Sequence, residues 1–372
     1  FKQKTAYEIR LSLVGSEMCI RDRYVGELCN KLGLIHKTLF WAHEDIKGNL
    51  SASAREARYR LMQNSIPSGA ILITGHTLDD QAETFLMRLR RGSGVDGLAS
   101  MAEKSCLSFG NDEMTIFRPL LDFERQTLRN VLKFYEVDWI EDPTNNDQSF
   151  ERVRVRDLLA RCVEIGIDKS TISQTALLMQ SAKTALNHFA SDCYEKFGSC
   201  NNGDIIFDFD EFSKQPLDIK RRLISAAQKW ISNQKYRPRL SQVDGLINSI
   251  DEKITFSGSG TICYFHDNSI RITREVNASV CEIEASNGVI YDRRWKLIAR
   301  ENCKDLTIKC LGEDGYTFLE PCIRKKIPYK TIIALPALFN DNNLINFPFL
   351  DPKSKFKFNL CKQPFNQFLL DH

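Results

Sequence analysis

From about Tyr24 to Phe150, apolar stretches of strand length alternate with segments whose apolar residues recur at helical spacing. This alternation predicts a parallel sheet with helices on its faces, in which ligands bind beyond the carboxyl ends of the strands. Ser51 or Ser53 suits the N-cap of one predicted helix, and Gly92 suits the end of another. The predicted strands are HKTLFWA, AILITGH and TIFRPLL, and the predicted helices are SASAREARYRLMQ, LDDQAETFLMRLRRG and ERQTLRNVLKFY.

Beyond Phe150 the pattern changes, because a basic segment leads into STISQTALLMQSAKTALNHFASDCYEKF, which has the period of one long amphipathic helix. The segment GTICYFHDNSIRITRE predicts a hairpin that turns at Asp267 and Asn268. After about Ala278, short strand-like runs are separated by turns. The expected fold class is therefore α/β, followed by a mainly helical domain and a small β-rich C-terminal domain. The expected domain ranges are 24–157, 158–277 and 278–372.

The composition is that of a globular chain, with 42% apolar and 27% charged residues and no apolar run near the ~18 residues of a membrane span. We expect a cytoplasmic protein that does not insert into a membrane. The 12 cysteines are scattered without a CxxC pair, which favours reduced thiols, and no histidine stands at zinc-ligand spacing. A net charge of +3 is too small for a uniformly basic nucleic-acid binder, so any RNA partner must meet local basic patches.

Three acidic residues, Asp79, Asp80 and Glu83, stand at the start of the helix that follows the strand ending near His76. At this position carboxylates can cap the helix and complement its dipole. They can also coordinate Mg²⁺ on a nucleotide pyrophosphate. Spacing alone leaves both interpretations open.

The glycine-spaced segment RRGSGVDG follows the same helix. Gly92 and Gly94 allow backbone conformations closed to other residues, and Arg90 with Arg91 could meet phosphate. Taken alone, the segment favours a helix C-cap followed by a solvated basic turn.

Three blocks in order resemble the tRNA(Ile)-lysidine synthetases, which are N-type ATP pyrophosphatases that act on RNA: AREARYRLM, TGHTLDDQAETFLMRLRRGSGVDGLASM and RPLLDFERQTLRNVLKFYEVDWIEDPTNND. The resemblance is close from about Tyr24 to Arg156 and weaker to about Pro348. It implies a Rossmann-like sheet and the ligation of free lysine to the wobble cytidine of tRNA(Ile) with a CAU anticodon, through an intermediate adenylated by ATP. Such a site implies Mg²⁺ and cations for the phosphates, carboxylates for the lysine ammonium and a basic surface for RNA. Homodimer formation is left open.

On this template the expected catalytic residues are Asp79, Asp80, Arg118 and Asp142, with Asp80 as the Mg²⁺ ligand. Arg118 suits the phosphate of the intermediate, and Asp142 suits the lysine ammonium. Without the resemblance, an ion pair at the sheet edge explains Arg118, and an ordinary acid before a proline turn explains Asp142. The residues expected around the nucleotide are Gln81, Glu83, Thr84, Arg91, Gly92, Ser93 and Gly94.

The expected RNA contacts are arginines, namely Arg55, Arg58, Arg152, Arg156, Arg221 and Arg222. Arg152 and Arg156 are four residues apart and can share one helical face toward RNA, although a plain solvated face explains them as well. Val153 stands where the family usually has Asn, so no side-chain role is assigned there. Thr77 stands where a second His is frequent, so His76 is assigned no catalytic proton transfer.

The family's SGGxDS loop, whose backbone amides grip pyrophosphate, does not occur in the sequence. Residues 1–23 instead match translated sequencing-adapter DNA, because one adapter end gives KQKTAYE and the transposase-side adapter gives LVGSEMCIRD. We therefore expect residues 1–23 to be an artefact, and the chain to bind tRNA weakly without activating it. The alternative is a non-catalytic RNA-binding protein that keeps the scaffold. The genomic locus upstream of the Tyr24 codon separates the two, since an SGGxDS-like reading frame there supports the enzyme.

Overall fold

The computed structural model describes residues 16–41, 50–67, 69–109, 112–141, 147–234, 236–280, 282–350 and 353–371. The chain divides into two compact units, Phe1–Gln180 and Ser181–His372, which we call unit 1 and unit 2. The domain boundaries expected at 157 and 277 do not coincide with this division and stay predictions. No helix within the described ranges combines the length and the apolar character needed to cross a bilayer.

Unit 1 combines helices with one three-stranded sheet. Its helices and strands, in chain order, are α1 (Ser16–Lys31), α2 (Leu50–Ser65), β1 (Ile71–Ile73), α3 (Leu78–Arg90), α4 (Val95–Leu98), β2 (Lys104–Phe109), β3 (Asp112–Phe117), α5 (Arg125–Phe134), α6 (Glu151–Cys162) and the start of α7 (Lys169–Phe197). The strand order is β1-β3-β2, with β1 parallel and β2 antiparallel to β3. Ile73 pairs with Phe117, so β1 and β3 end at the same edge of the sheet. The parallel pair and its helices confirm the expected α/β class.

One apolar cluster of unit 1 lies between α2 and the sheet. Tyr59 and Met62 of α2 pack with Leu72 of β1 and with Met114 and Ile116 of β3. Tyr59 is only 6% exposed and therefore belongs to the core of unit 1. This packing fixes α2 above the strands whose ends carry the polar residues described below.

A second cluster joins α3 to α6 and to the first turns of α7. Each helix contributes residues three or four positions apart, as one helical face requires. The members are Ala82, Phe85, Val155, Leu159, Ile172 and Ala176. The start of α3 is thereby held close to the start of α7.

Three local predictions in unit 1 differ from the structure. Residues 36–41 of the predicted strand HKTLFWA are not a strand, since none of them pairs in a sheet among the described residues. Ser51 and Ser53 are not N-caps, because α2 already includes Leu50. The strand β2 was not predicted, and it forms by pairing along its whole length with β3.

Unit 2 contains an α/β part followed by β-rich segments. Its elements are the end of α7, β4 (Gly198–Asn201), β5 (Asp204–Asp208), α8 (Phe209–Ser213), α9 (Leu217–Ser232), α10 (Leu240–Asp251), β6 (Phe256–Gly258), β7 (Thr261–His266), β8 (Ser269–Arg274), β9 (Ile283–Glu284), β10 (Ile290–Tyr291), β11 (Trp295–Ala299), β12 (Thr307–Cys310), α11 (Gly312–Thr317), α12 (Pro321–Arg324), α13 (Tyr329–Ile332), β13 (Pro336–Asn340), β14 (Asn343–Asn346), β15 (Phe356–Leu360) and α14 (Phe365–Asp371). The strand orders of its sheets are β4-β5-β8-β7-β6, β14-β13-β12-β9 and β10-β11-β15.

The predicted hairpin is confirmed, since β7 and β8 pair antiparallel on either side of Asp267 and Asn268. Both turn residues have positive φ, 49° and 54°, which matches a type I′ turn and the preference of Asp and Asn for that conformation. The long helix predicted over STISQ to EKF is confirmed as α7.

Buried charges occupy the interior of unit 2. Arg274 pairs with Asp292 through two hydrogen bonds, at 2.8 and 3.1 Å. Asp204 is 1% exposed and accepts hydrogen bonds from Thr331 and, at 3.4 Å, from Arg271. Burial raises the pKa of Asp204 to about 6, against the opposing effect of these donors.

Candidate active site

Polar residues gather where β1 and β3 end. The Thr74 amide donates to the Phe117 carbonyl at 3.0 Å, which keeps the two chain segments together one residue beyond β1. His76 and Thr77 then lead into α3, and Arg118 follows β3 directly. This is the edge at which α/β sheets bind ligands.

Asp80 caps the start of α3. Its Oδ2 accepts hydrogen bonds from the backbone amide and the hydroxyl of Thr77, both at 2.9 Å. The same oxygen lies 3.6 Å from the guanidinium of Arg125. Of the two interpretations open for Asp80, the capping role is therefore present in the structure.

Asp79 is held by the first residues of two other helices. Its Oδ2 accepts from the Arg125 amide of α5 at 2.8 Å, and its Oδ1 lies 2.6 Å from the Lys169 ammonium of α7. Burial works to raise the pKa of Asp79, but the Arg125 amide and the Lys169 ammonium outweigh it, so the pKa is lowered. Asp79 is thus a charged and doubly anchored carboxylate.

These contacts bear on the expected Mg²⁺ site. Both oxygens of Asp79 and one oxygen of Asp80 already accept hydrogen bonds. Across the part of the chain that the structure describes, no group of three or more His, Cys, Asp or Glu residues could hold a metal ion. The described residues therefore form no metal cluster of their own, and Asp80 as a Mg²⁺ ligand stays a prediction.

Four arginines converge on this edge. Three of them, Arg55, Arg58 and Arg152, are exposed, whereas Arg118 is 6% exposed. The pKa of Arg58 is lowered by desolvation first, against an opposing effect of Tyr59, and further by the charges of Arg55 and Arg152. Like charges this close concentrate a positive potential at one place, which attracts anions.

Arg118 is anchored beneath the exposed arginines. Its Nη1 donates to the Ala102 carbonyl at 2.7 Å and to the Ser105 hydroxyl at 2.9 Å. Desolvation lowers the pKa of Arg118, Tyr59 opposes that effect, and the charge of Arg55 adds to it. Its buried Nε has no hydrogen-bond partner among the described residues. A buried donor without a partner suits an anionic ligand.

The charges of the same arginines act on His76, which lies between β1 and α3. Its Nδ1 lies 2.8 Å from the Thr74 hydroxyl. Burial lowers the pKa of the imidazole, Asp80 opposes that effect, and the charges of Arg118, Arg152 and Arg55 lower it further. The imidazole therefore favours its neutral form.

Glu83 lies one turn further along α3 and is almost fully buried. Its Oε1 accepts from Nε of Arg156 at 2.5 Å, and its Oε2 has no partner among the described residues. Arg156, one of the expected RNA contacts, pairs with this carboxylate, and its contact with RNA stays a prediction. Val153, on the same helix, is buried at 7% exposure.

The glycine segment after α3 is clamped by two side chains of that helix. Gln81 exchanges two hydrogen bonds with the Met101 backbone, both at 2.9 Å. Arg88 donates to the carbonyls of Gly97 and Ser100 at 2.7 and 3.0 Å. Gln81, which we expect beside the nucleotide, therefore holds the loop through hydrogen bonds from its side chain to the backbone of Met101.

The ends of the glycine segment have defined roles. Gly92 has φ of +68° just past the C-cap of α3, and Gly94 is the N-cap of α4. The Ser93 amide donates to the Arg88 carbonyl at 3.1 Å. Arg91 pairs with Glu151 of α6 at 3.0 Å. The helix end predicted at Gly92 is confirmed, and the phosphate role of the segment stays a prediction.

Comparison with known proteins decides the family. Residues 16–162 match the family model of the PP-loop domain. The chain is 32% identical to a tRNA(Ile)-lysidine synthase of Ruegeria pomeroyi over 338 residues, which cover 90% of this chain and 78% of that protein. It is 33% identical to a tRNA(Ile)-lysidine synthase of Wolbachia pipientis wMel, with coverages of 87% and 76%. A tRNA(Ile)-lysidine synthase of the Wolbachia of Brugia malayi is 35% identical, with coverages of 89% and 78%.

The chain belongs to the tRNA(Ile)-lysidine synthase family. The resemblance stated from the sequence is thereby confirmed, and the PP-loop match confirms the Rossmann-like class of unit 1. The match begins at residue 16, inside the segment 1–23 that we expect to be an artefact, and that expectation stays a prediction. Among solved structures, the U34-tRNA thiolase NcsA from Methanococcus maripaludis aligns at 15% identity with a TM-score of 0.38, over 48% of this chain and 63% of that chain, a likeness too weak for any argument.

The remaining residues assigned from the tRNA(Ile)-lysidine synthase resemblance lie in unit 2, further along α3 or outside the described ranges. Asp142 lies outside the described residues. Arg221 makes two hydrogen bonds to Asp244, at 2.6 and 2.9 Å. Arg222 is 5% exposed and bonds to Asp218, so it is a poor candidate for RNA contact. Thr84, on α3, is half-buried.

Two residues that shape the site were not indicated by the sequence. Arg88 lies two helical turns after Gln81, so helical spacing could have placed both on the face that meets the glycine segment. Lys169 is far from Asp79 in the chain, and no motif connects them. Only the packing of α7 against α3 brings that pair together.

Proposed function

We propose that the chain is a tRNA(Ile)-lysidine synthase that ligates free L-lysine to C2 of the wobble cytidine of tRNA(Ile) with a CAU anticodon, at the expense of ATP. The modified anticodon would read the codon AUA in place of AUG. The observation that carries this proposal is Arg118, which lies buried at the carboxyl edge of β1 and β3 with an Nε that has no partner among the described residues. The charges of Arg55 and Arg152 also act on His76 at the same edge, and a nucleotide and an RNA backbone both need such cations.

The proposed chemistry has two steps. In the first, the C2 oxygen of cytidine attacks the α-phosphorus of ATP, an O–P bond forms, and pyrophosphate leaves. In the second, the lysine amine attacks C2, a C–N bond forms, and the C–O bond breaks with AMP as the leaving group. The amine loses a proton in this step. Both steps develop negative charge on phosphate oxygens, which nearby guanidinium groups stabilise.

The residues take different parts in this scheme. Arg118 offers a buried donor to a phosphate oxygen, while the exposed Arg55, Arg58 and Arg152 would neutralise the remaining phosphates and the RNA backbone. Asp80 fixes the start of α3 through the Thr77 cap. Asp142 remains our candidate for the ammonium of lysine.

Transfer of radiolabelled lysine to a tRNA(Ile) transcript tests the proposal. We would assay the chain as it stands beside a version in which residues 1–23 are replaced by the residues that the genomic locus encodes upstream of Tyr24. We expect ATP-dependent transfer to the CAU transcript by the second version alone. If neither version transfers lysine but both bind the transcript, the chain is a non-catalytic RNA-binding protein, and the synthase proposal is wrong.

A further inference from the structure

Tyr59 belongs to the apolar core of unit 1 and also borders the candidate site. It packs in one cluster with Ile116 of β3 and is 6% exposed. Arg55 lies one helical turn earlier on α2, and its guanidinium carbon is 5.2 Å from the centre of the Tyr59 ring. At this distance the ring attracts the cation, so Tyr59 connects the core to an exposed arginine of the site.

Arg118 lies on the face of the sheet that α2 covers. Its amide extends the pairing of β2 with β3 by donating to the Glu103 carbonyl at 2.8 Å, so the chain is still extended there. Side chains two residues apart in an extended strand point to the same face, which places Arg118 beside Ile116. The hydrogen bond from Arg118 to Ser105, the residue paired with Ile116, agrees with this placement.

On this face Tyr59 supplies a second partner for the Arg118 guanidinium. Desolvation lowers the pKa of Arg118, whereas the charge of Tyr59 and its side-chain hydrogen bond to Arg118 oppose that effect. A guanidinium group is planar, so partners on two sides fix the direction of the N–H groups that remain. The Nη1 is held by the Ala102 carbonyl, and the buried Nε, without a partner among the described residues, is left for a ligand.

We propose that Tyr59 is a positioning residue, whose hydroxyl orients the Arg118 guanidinium so that its Nε faces a phosphate at the β1–β3 edge. This inference rests on the proposed function, because it requires that this edge binds phosphate. Tyr59 is buried and touches no ligand, so its action passes through Arg118. The hydroxyl can be removed while the ring, and with it the packing of the core, is kept.

The test places Tyr59→Phe, which loses only the hydroxyl, in the native chain and in the Arg118→Met background. Tyr264→Phe is the matched control, because Tyr264 is 5% exposed and its hydroxyl lies 2.6 Å from that of Thr331 in unit 2. The first readout is the affinity for a CAU anticodon stem-loop. The second needs no ligand and is the ¹⁵N NMR signal of the Arg118 Nε–H group in arginine-labelled protein, assigned with Arg118→Lys.

We expect Tyr59→Phe to shift the Arg118 signal and to weaken stem-loop binding about three- to tenfold, as loss of one hydrogen bond does. In the Arg118→Met background it should have no further effect on binding, and Tyr264→Phe should change neither readout. Equal weakening by Tyr59→Phe in both backgrounds overturns the proposal, because the hydroxyl then acts through the fold and not through Arg118. An unchanged Arg118 signal overturns it as well, and so does native affinity of Tyr59→Phe. If the native chain does not bind the stem-loop, the proposed function fails, and the Arg118 signal alone decides whether Tyr59 holds this arginine.

Discussion

Replacing Arg156 by Met should loosen α3 from α6, because it leaves the buried carboxylate of Glu83 without its cation. The Glu83 side chain is 2% exposed, and Arg156 lies 2.5 Å from its Oε1. Its Oε2 already lacks a partner among the described residues. Removing one partner of a buried ion pair costs about 3–5 kcal/mol.

Solvent limits that magnitude, because the Arg156 side chain is 28% exposed and water already screens part of its attraction. We therefore expect Arg156→Met to destabilise α3 locally by about 3 kcal/mol, at the lower end of that range.

Hydrogen-exchange mass spectrometry of peptides from α3 measures this free energy directly. The expected loss corresponds to a fall of about 100-fold in the protection factors at pH 7. Arg154→Met is the control, since Arg154 is an exposed residue of the same helix that donates to the carbonyls of Gln148 and Ser149.

The double variant R156M/E83Q should recover most of the loss, because no charge is then buried. The reasoning is refuted if R156M perturbs α3 no more than R154M does. It is equally refuted if R156M/E83Q perturbs α3 as much as R156M does.

Three further changes have definite expected outcomes. Gln81→Ala removes both hydrogen bonds to Met101 and should lower the free energy of amide protection around Met101 by about 1–2 kcal/mol in hydrogen exchange. Unchanged protection would show that Gln81 does not hold the loop. Gly92→Ala should destabilise unit 1 by about 1 kcal/mol in urea unfolding, because Gly92 has a positive φ. Gly94→Ala should be nearly neutral, because Gly94 has φ of −77°. Equal effects of the two substitutions would contradict this reasoning. Because burial raises the pKa of Asp204 to about 6, the folded state holds this proton more tightly, and unit 2 should lose stability as pH rises from about 4 to about 6. Asp204→Asn should remove that component in urea titrations, and an unaltered pH profile would argue against it.

Local signals predicted much of the fold. The helical period and the glycine that ends it predicted α3, and the Asp267–Asn268 pair predicted the β7–β8 hairpin, because both depend on neighbours in the chain. Strand β2 was missed because it becomes a strand only by pairing with β3. Residues 36–41 illustrate the converse, since their residues include types of high β-propensity but no strand of the described ranges pairs with them.

In the candidate site, too, local features were predicted from the sequence and contacts between distant segments were not. The acids at the start of α3 were identified from spacing, but their partners were not, because Lys169 and Arg156 reach them from distant helices. A charge pattern on one helix cannot tell an arginine that faces RNA from one that neutralises a buried glutamate. For Arg156 only the packing of α6 on α3 makes that distinction.

The salt dependence of binding to a CAU anticodon stem-loop tests the central claim, that the arginines at the β1–β3 edge bind phosphate. Each phosphate contact that is lost should lower the slope of log K against log salt by about 1. We expect that decrease for Arg152→Gln and for Arg58→Gln, and no change for Arg154→Gln on the same helix as Arg152. Equal slopes for all three variants and the native chain would contradict the claim.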